Sequence, residues 1–235
     1  MPLNIEKAKL IQLQLAKKVE FRKVEKIEKV AGLDVAYRKG LAYGAVVVID
    51  VETKEVVDAA CVIVKDVVPY VPTYLAFREI TPSIRAYLKL REEPDVIMVD
   101  GHGIAHPRRF GIAAHIGVVL KKPTIGVAKS LLYGLEIDNA VLDPNSREVL
   151  ARVIYCRGKK YVSVGSYITL EEAVELTERL CTKEGVLPLT LAHRTTQRLK
   201  NISISKFDQW GEALANHEDW HTCSRHHGLR NRPQH

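Results

Sequence analysis

The sequence predicts a mixed α/β fold, in which an antiparallel meander feeds a pair of parallel strands and helices flank the central sheet. Three runs rich in β-branched residues, Val30 to Tyr37, Tyr43 to Val51 and Val56 to Val64, are separated only by Arg38-Lys39-Gly40 and Glu52-Thr53-Lys54-Glu55. Breaks that short join antiparallel neighbours. Further on, the period changes: a short apolar run from Val96 to Asp100, a helical stretch from Phe110 to Leu120, and a second apolar run from Thr124 to Ala128. A strand, crossover and strand of this kind forms a parallel unit buried on both faces.

The remaining elements follow in chain order. Residues Ile5 to Val19 place Leu10, Leu13, Leu15 and Val19 among Lys, Gln and Glu, the stripe of an outer amphipathic helix. Thr81 and Pro82 suit the cap and first position of a helix that starts just after Glu79 and runs to about Leu90. The polar stretch holding Asp138-Asn139 and Asp143 to Arg147 reads as a surface loop. A hairpin follows, Val149 to Cys156 and Tyr161 to Ile168, turned by Arg157-Gly158-Lys159-Lys160, and Leu170 to Leu180 and Leu189 to Leu199 are helical by periodicity.

The expected organisation is one domain over residues 1–200 and a polar, histidine-rich tail over 201–235 without stable order. At 235 residues, with 46% hydrophobic and 27% charged side chains, the chain has the ordinary balance of a globular protein. Its longest apolar runs fall far short of the ~20 residues a membrane span needs. Met1 to Lys7 lacks the apolar segment of a secretory signal, which predicts a cytoplasmic protein. Four cysteines, Cys61, Cys156, Cys181 and Cys223, show no CxxC spacing and read as buried reduced thiols. The net charge of +7 points to a polyanionic partner.

Three acids stand where a carboxylate contributes little to stability. Asp34 lies in mid-strand, Glu79 just ahead of the expected helix, and Asp100 at a strand end, the edge where parallel sheets bind ligands. If the strands of Asp34 and Asp100 are neighbours, the three can share Mg²⁺ or Mn²⁺, hard ions that prefer carboxylate, water and phosphate oxygens. Without a cation such a cluster is disfavoured by repulsion and desolvation. Lys129 ends the next apolar run and can steady a phosphate. Gly101 and Gly103 allow backbone to come close to a ligand, and His106 suits a hydrogen-bonding wall of the same pocket. Pro69-Tyr70-Val71-Pro72 presents an aromatic ring on a stiff loop able to enter a base stack. An alternative reading makes Asp100, His102 and His106 a zinc site, although Gly103 and Pro107 oppose the helix that the spacing requires. A zinc site from His217, His221 and Cys223 is a further alternative.

Gly32-Leu33-Asp34-Val35-Ala36-Tyr37, Pro69-Tyr70-Val71-Pro72 with Leu75-Ala76-Phe77-Arg78-Glu79, Asp100-Gly101-His102-Gly103-Ile104-Ala105-His106-Pro107-Arg108 and Gly126-Val127-Ala128-Lys129-Ser130 together closely resemble the endonuclease V, or deoxyinosine 3′-endonuclease, family. The resemblance runs from the first helix to about Leu199. It implies a ribonuclease H-like fold and a metal-dependent nuclease that recognises hypoxanthine in DNA, with inosine in RNA a further substrate. Such an enzyme hydrolyses the second phosphodiester bond 3′ to the lesion, leaving 3′-hydroxyl and 5′-phosphate ends. By position, Asp34, Glu79 and Asp100 would hold Mg²⁺, with Mn²⁺ as a substitute, while Lys129 and His193 would assist catalysis. Tyr70 and Pro72 would form a strand-separating wedge, and Leu75, Arg78, Gly101, Gly103, His106, Gly111 and Ile112 would contact substrate. The reading predicts a monomer with no membrane association. A non-catalytic nucleic-acid-binding module of the same fold is the alternative from a different class.

Overall fold

The computed structural model describes residues 3–65 and 68–201. The expected C-terminal tail, with His217, His221 and Cys223, lies outside the described residues.

Strands β1 (Lys29–Arg38), β2 (Leu41–Asp50) and β3 (Val56–Val64) form the expected meander. The first turn is the two-residue pair Lys39-Gly40, both with positive φ (49° and 76°), the conformation that matches the right-handed twist of the strands it joins. Strand β4 (Val96–Val99) pairs parallel to β1, and β5 (Thr124–Ala128) pairs parallel to β4. The sheet continues through four antiparallel steps, from β5 to β9 (Lys159–Ser166), then β8 (Val149–Tyr155), β7 (Ala140–Leu142) and β6 (Leu135–Ile137). The nine-stranded order is therefore β3-β2-β1-β4-β5-β9-β8-β7-β6, the mixed, ribonuclease H-like sheet that the sequence implies.

Residues alternate between two cores, as the pleat requires. Val30, Met98 and Ile125 face one side and pack with Leu176 of α4 (Leu170–Arg179) and Ala192 of α5 (Leu187–Leu199). Ala31, Leu33, Ile97 and Val99 face the other, toward α2 (Leu75–Tyr87) and α3 (Ile112–Leu120). Gly32 lies beneath α5 so closely that a Cβ there would sit 2.2 Å from the carbonyl of Pro188. Helix α5 thus crosses directly over the strand that carries Asp34.

Four expectations need correction. First, α2 begins at Leu75 and Pro82 lies inside it. Burial of Ala76, Ser83 and Ala86 along one face outweighs the helix-breaking cost, roughly 3 kcal/mol. The Arg78 carbonyl that Pro82 cannot serve instead accepts from the Tyr37 hydroxyl at 3.5 Å, and Glu79 becomes a mid-helix residue. Second, the outer helix α1 (Ile5–Ala16) buries Ala8 and Gln12 and packs Leu15 and Ala16 on Phe110, while Leu10 and Leu13 are exposed. The set 8, 12, 15, 16 and 19 is the better helical stripe. Third, the polar stretch after Gly134 contains the β6–β7 hairpin, turned by Asp138-Asn139 with φ 48° and 59°.

Fourth, Cys156 and Cys181 form a disulfide, not two reduced thiols. Their Cα atoms are 5.7 Å apart because β8 ends beside the small hairpin of β10 (Cys181–Thr182) and β11 (Gly185–Val186). With a sequence separation of 25, closure of that loop in the unfolded chain is worth about 3 kcal/mol. Urea unfolding with and without dithiothreitol is expected to differ by that amount, and Cys181→Ser should remove the difference.

Candidate active site

Register brings the first two acids together. Leu33 pairs with Val99 across β1 and β4, so Asp34 and Asp100 emerge side by side, and the Asp100 amide donates to the Leu33 carbonyl at 3.4 Å. Glu79 enters from α2, and all three carboxylates line one cavity of about 180 Å³ with Ser83 at its side. Burial above all pushes the Glu79 carboxyl up to about 8, and the charges of Asp34 and Asp100 push the same way. Asp34, only 9% exposed, is also held above the usual carboxylate range, chiefly by burial and further by Asp100; Thr196, His193 and Lys129 act against the rise. Burial and mutual repulsion thus disfavour the charged forms of Asp34 and Glu79 where they stand.

Two basic side chains stand at the same place. Lys129, directly after β5, sets its Nζ 2.5 Å from Asp100 Oδ2, and His193 on α5 sets Nδ1 3.4 Å from Asp34 Oδ2. Among the described residues, no three His, Cys, Asp or Glu side chains form a ready-made metal cage. Three carboxylates around one small cavity are hard oxygen donors of the kind a divalent cation prefers. The zinc reading of Asp100, His102 and His106 fares worse. His102 Nε2 is engaged with the Ser130 carbonyl at 2.9 Å, and His106 spends both ring nitrogens on the protein.

A second cavity, about 270 Å³, opens against the first and shares Asp100 with it. Tyr70, Leu75, Gly101, His106, Gly111 and Ile112 all line it, as does Lys129. Tyr70 is 58% exposed beside it, and Pro72 is exposed on the same loop. Two expected contact residues lie elsewhere. Gly103 packs against β9, where a Cβ would meet the Val164 carbonyl at 1.9 Å, so its missing side chain serves the fold and not a ligand. Arg78 stacks over the Tyr37 ring at 3.7 Å and lines a separate groove with Lys65 and Arg85, because the earlier start of α2 turns it away from the carboxylates.

Sequence reasoning missed two groups. Thr196, fully buried on α5, hydrogen-bonds Asp34 Oδ2 and also reaches the His193 carbonyl at 2.9 Å. One hydroxyl proton serves one acceptor at a time. With Asp34 ionised it belongs to Asp34; with Asp34 protonated, the carboxyl can donate to Thr196 and the hydroxyl turns to the carbonyl. Its position three residues after His193 was the available signal. The other group is Gln12, Thr73 and Arg108, a polar cluster of which Gln12 and Thr73 line the second cavity.

Two buried histidines set an acid limit on this region. Burial holds both His106 and His115 down to about 4, from an ordinary value of 6.5. His115 lies between Phe77 and Phe110, and its Nδ1 has no hydrogen-bond partner among the described residues. Each therefore takes up a proton on unfolding. Stability from them is complete above about pH 7 and is lost as pH falls from 6.5 through 4, by ~3 kcal/mol per histidine. Urea midpoints measured across this window should fall steeply, and His115→Leu should remove about half the slope.

The family model for Endonuclease V matches residues 12–194 of the chain. Endonuclease V of Aeropyrum pernix is 42% identical over 207 residues, covering 85% of this chain and 81% of that protein. That of Desulfurococcus amylolyticus is 39% identical over 202 residues, covering 81% and 92%. Among solved structures, Endonuclease V from Streptomyces avermitilis superposes with a TM-score of 0.77 at 32% identity, over 83% of this chain and 92% of that one. Ciona intestinalis Endonuclease V, solved with a 24mer DNA containing an inosine followed by a ribo-adenosine, gives 0.77 at 29% identity, over 85% and 99%.

Proposed function

The chain belongs to the endonuclease V family, and from that premise we propose that it is an Mg²⁺-dependent repair endonuclease that recognises deoxyinosine and hydrolyses the second phosphodiester bond 3′ to it, with inosine in RNA as a further substrate. One observation carries the reading: a three-carboxylate cavity and a larger cavity edged by an exposed tyrosine meet at Asp100. A nuclease that reads a base and cuts a nearby phosphate needs that adjacency.

Asp34, Glu79 and Asp100 would hold the ion, which when bound supplies charge neutralisation at the phosphate and an activated water. The chain's own groups do the rest. Thr196 and His193 orient the Asp34 carboxylate from α5. Lys129, held beside Asp100 at the mouth of the carboxylate cavity, would offer its ammonium to the phosphate oxygens where charge develops. Tyr70 enters the stack while the displaced base occupies the second cavity, against Leu75, Gly101 and Ile112. Among the described residues no helix is long and apolar enough to cross a membrane, and the reading is of a cytoplasmic monomer.

The test compares otherwise identical duplexes with and without one deoxyinosine, and a matched inosine-containing RNA, mapping each nick at nucleotide resolution. Cutting at the second bond 3′ to inosine, lost with chelator and restored by Mg²⁺, is expected. Cutting at random positions, or equally without inosine, would end the proposal.

A further inference from the structure

The loop that carries Tyr70 and Pro72 rejoins the body of the protein at Thr73. There the backbone is left-handed, with φ 66°, a conformation a β-branched residue adopts only when its surroundings impose it. Three donors from two segments, α1 and the loop after β4, close on the Thr73 carbonyl: Gln12 Nε2 at 3.1 Å, His106 Nε2 at 2.9 Å and Arg108 Nη2 at 2.8 Å. Arg108 Nη2 also donates to the Thr73 hydroxyl at 2.6 Å. A carbonyl oxygen offers two lone pairs, so three N–H groups oversubscribe it.

The donors brace one another. Gln12 Oε1 accepts from Arg108 Nε at 2.6 Å, Gln12 Nε2 also reaches the Phe110 carbonyl at 3.3 Å, and the Arg108 amide donates to His106 Nδ1 at 3.2 Å. The guanidinium lies over the Tyr74 ring, 4.3 Å from its centre. The tautomer of His106 is thereby fixed with its proton on Nε2, and neither ring nitrogen is left for a ligand. Gln12 is fully buried on a helix that leaves Leu10 and Leu13 exposed, and a buried amide in such a place calls for a polar purpose.

We propose that Gln12, His106 and Arg108 are positioning residues that act through the Thr73 carbonyl, locking the Tyr70 loop in place above the base cavity so that it can hold a duplex open. The inference rests on the inosine-directed reading above. Opening a duplex loads the loop with the unstacking cost of the displaced base, and a loop unanchored at Thr73 yields under that load. A single strand imposes no such load.

The discriminating quantity is therefore the ratio of cleavage on an inosine duplex to cleavage on the same inosine strand alone. Gln12→Glu keeps the shape and the acceptor for Arg108 but turns an anionic oxygen toward two carbonyls. Arg108→Lys keeps the charge and loses the fork. Each is expected to lower the ratio tenfold or more, and to diminish the fluorescence rise of a 2-aminopurine placed beside the inosine in a duplex bound by chelated protein. A loss shared equally by duplex and single strand, or an unchanged 2-aminopurine signal in both variants, overturns the clamp. Should Gln12→Glu fail to fold, as judged by circular dichroism, Arg108→Lys decides alone. If the wild type cuts duplexes with and without inosine alike, the preceding reading fails; if it needs inosine and the ratio stays put, only the clamp fails.

Discussion

Replacing Glu79 by glutamine is expected to cut inosine-directed cleavage by about 10³-fold while making the metal-free protein more stable at neutral and alkaline pH. The loss follows from removing one of three carboxylates that would hold the cation, whose contribution is several kcal/mol of charge stabilisation, with about 1.36 kcal/mol per tenfold in rate. The gain follows from the carboxyl being pushed up to about 8 by burial and by Asp34 and Asp100. An unfolded chain releases that proton near the ordinary 4.5, whereas the fold retains it until about 8. Stability from this group is therefore complete below pH 4.5 and is lost as pH climbs to 8. Glutamine escapes that loss, and since Glu79 is half-buried and not fully enclosed the advantage is ~2–3 kcal/mol, not the full linkage value. Urea unfolding in chelator at pH 4.5 and pH 8.5 should show wild type and variant equal at the first and separated at the second. Cleavage within tenfold of wild type, or a variant less stable at pH 8.5, would contradict the account.

That opposition between stability and activity explains why the acids could be read from sequence while their surroundings could not. A carboxylate in mid-strand at Asp34, or at a strand end at Asp100, departs from what packing wants and is visible as a departure. The β-branched meander and the apolar Val96 to Val99 run were legible for the complementary reason, since each matches the demands of its element. Tertiary context decided the rest. Pro82 looked like a helix start because the rule for proline is local, and the face of α2 that overrides it exists only once Gly44 and the sheet lie beneath it. Cys156 and Cys181 carry no motif, and only the fold sets them side by side. Thr196 and Gln12 are ordinary helix residues until Asp34 and Thr73 arrive from 162 and 61 positions away.

Gly101 and Gly103 make the same point as a pair, because sequence gives them one role and structure gives them two. Gly103→Ala is expected to cost about 3 kcal/mol of stability, at the upper end of overpacking effects, and to lower cleavage by 10² or more. Its new Cβ would stand 1.9 Å from the Val164 carbonyl and 2.5 Å from that residue's carbonyl carbon. Both are backbone atoms of a central strand that cannot retreat. The turn must lift instead, breaking the bond from the Gly103 amide to the Ser163 hydroxyl at 2.8 Å and carrying Asp100 away from Asp34 and Glu79. At Gly101 the added methyl meets no backbone within 4 Å but Cγ2 of Ile112, at 2.5 Å, the branch methyl of a side chain stiff at χ1 that must shift to make room. Gly101→Ala should therefore be destabilised less than Gly103→Ala while losing activity, chiefly as a raised KM, because the methyl and the displaced Ile112 intrude on the base cavity. Thermal melts beside steady-state kinetics on an inosine duplex separate the two cases. A stable Gly103→Ala would mean that this turn is not held against β9 as described, and a Gly101→Ala as unstable as Gly103→Ala would remove the distinction between a glycine kept for the fold and one kept for the ligand.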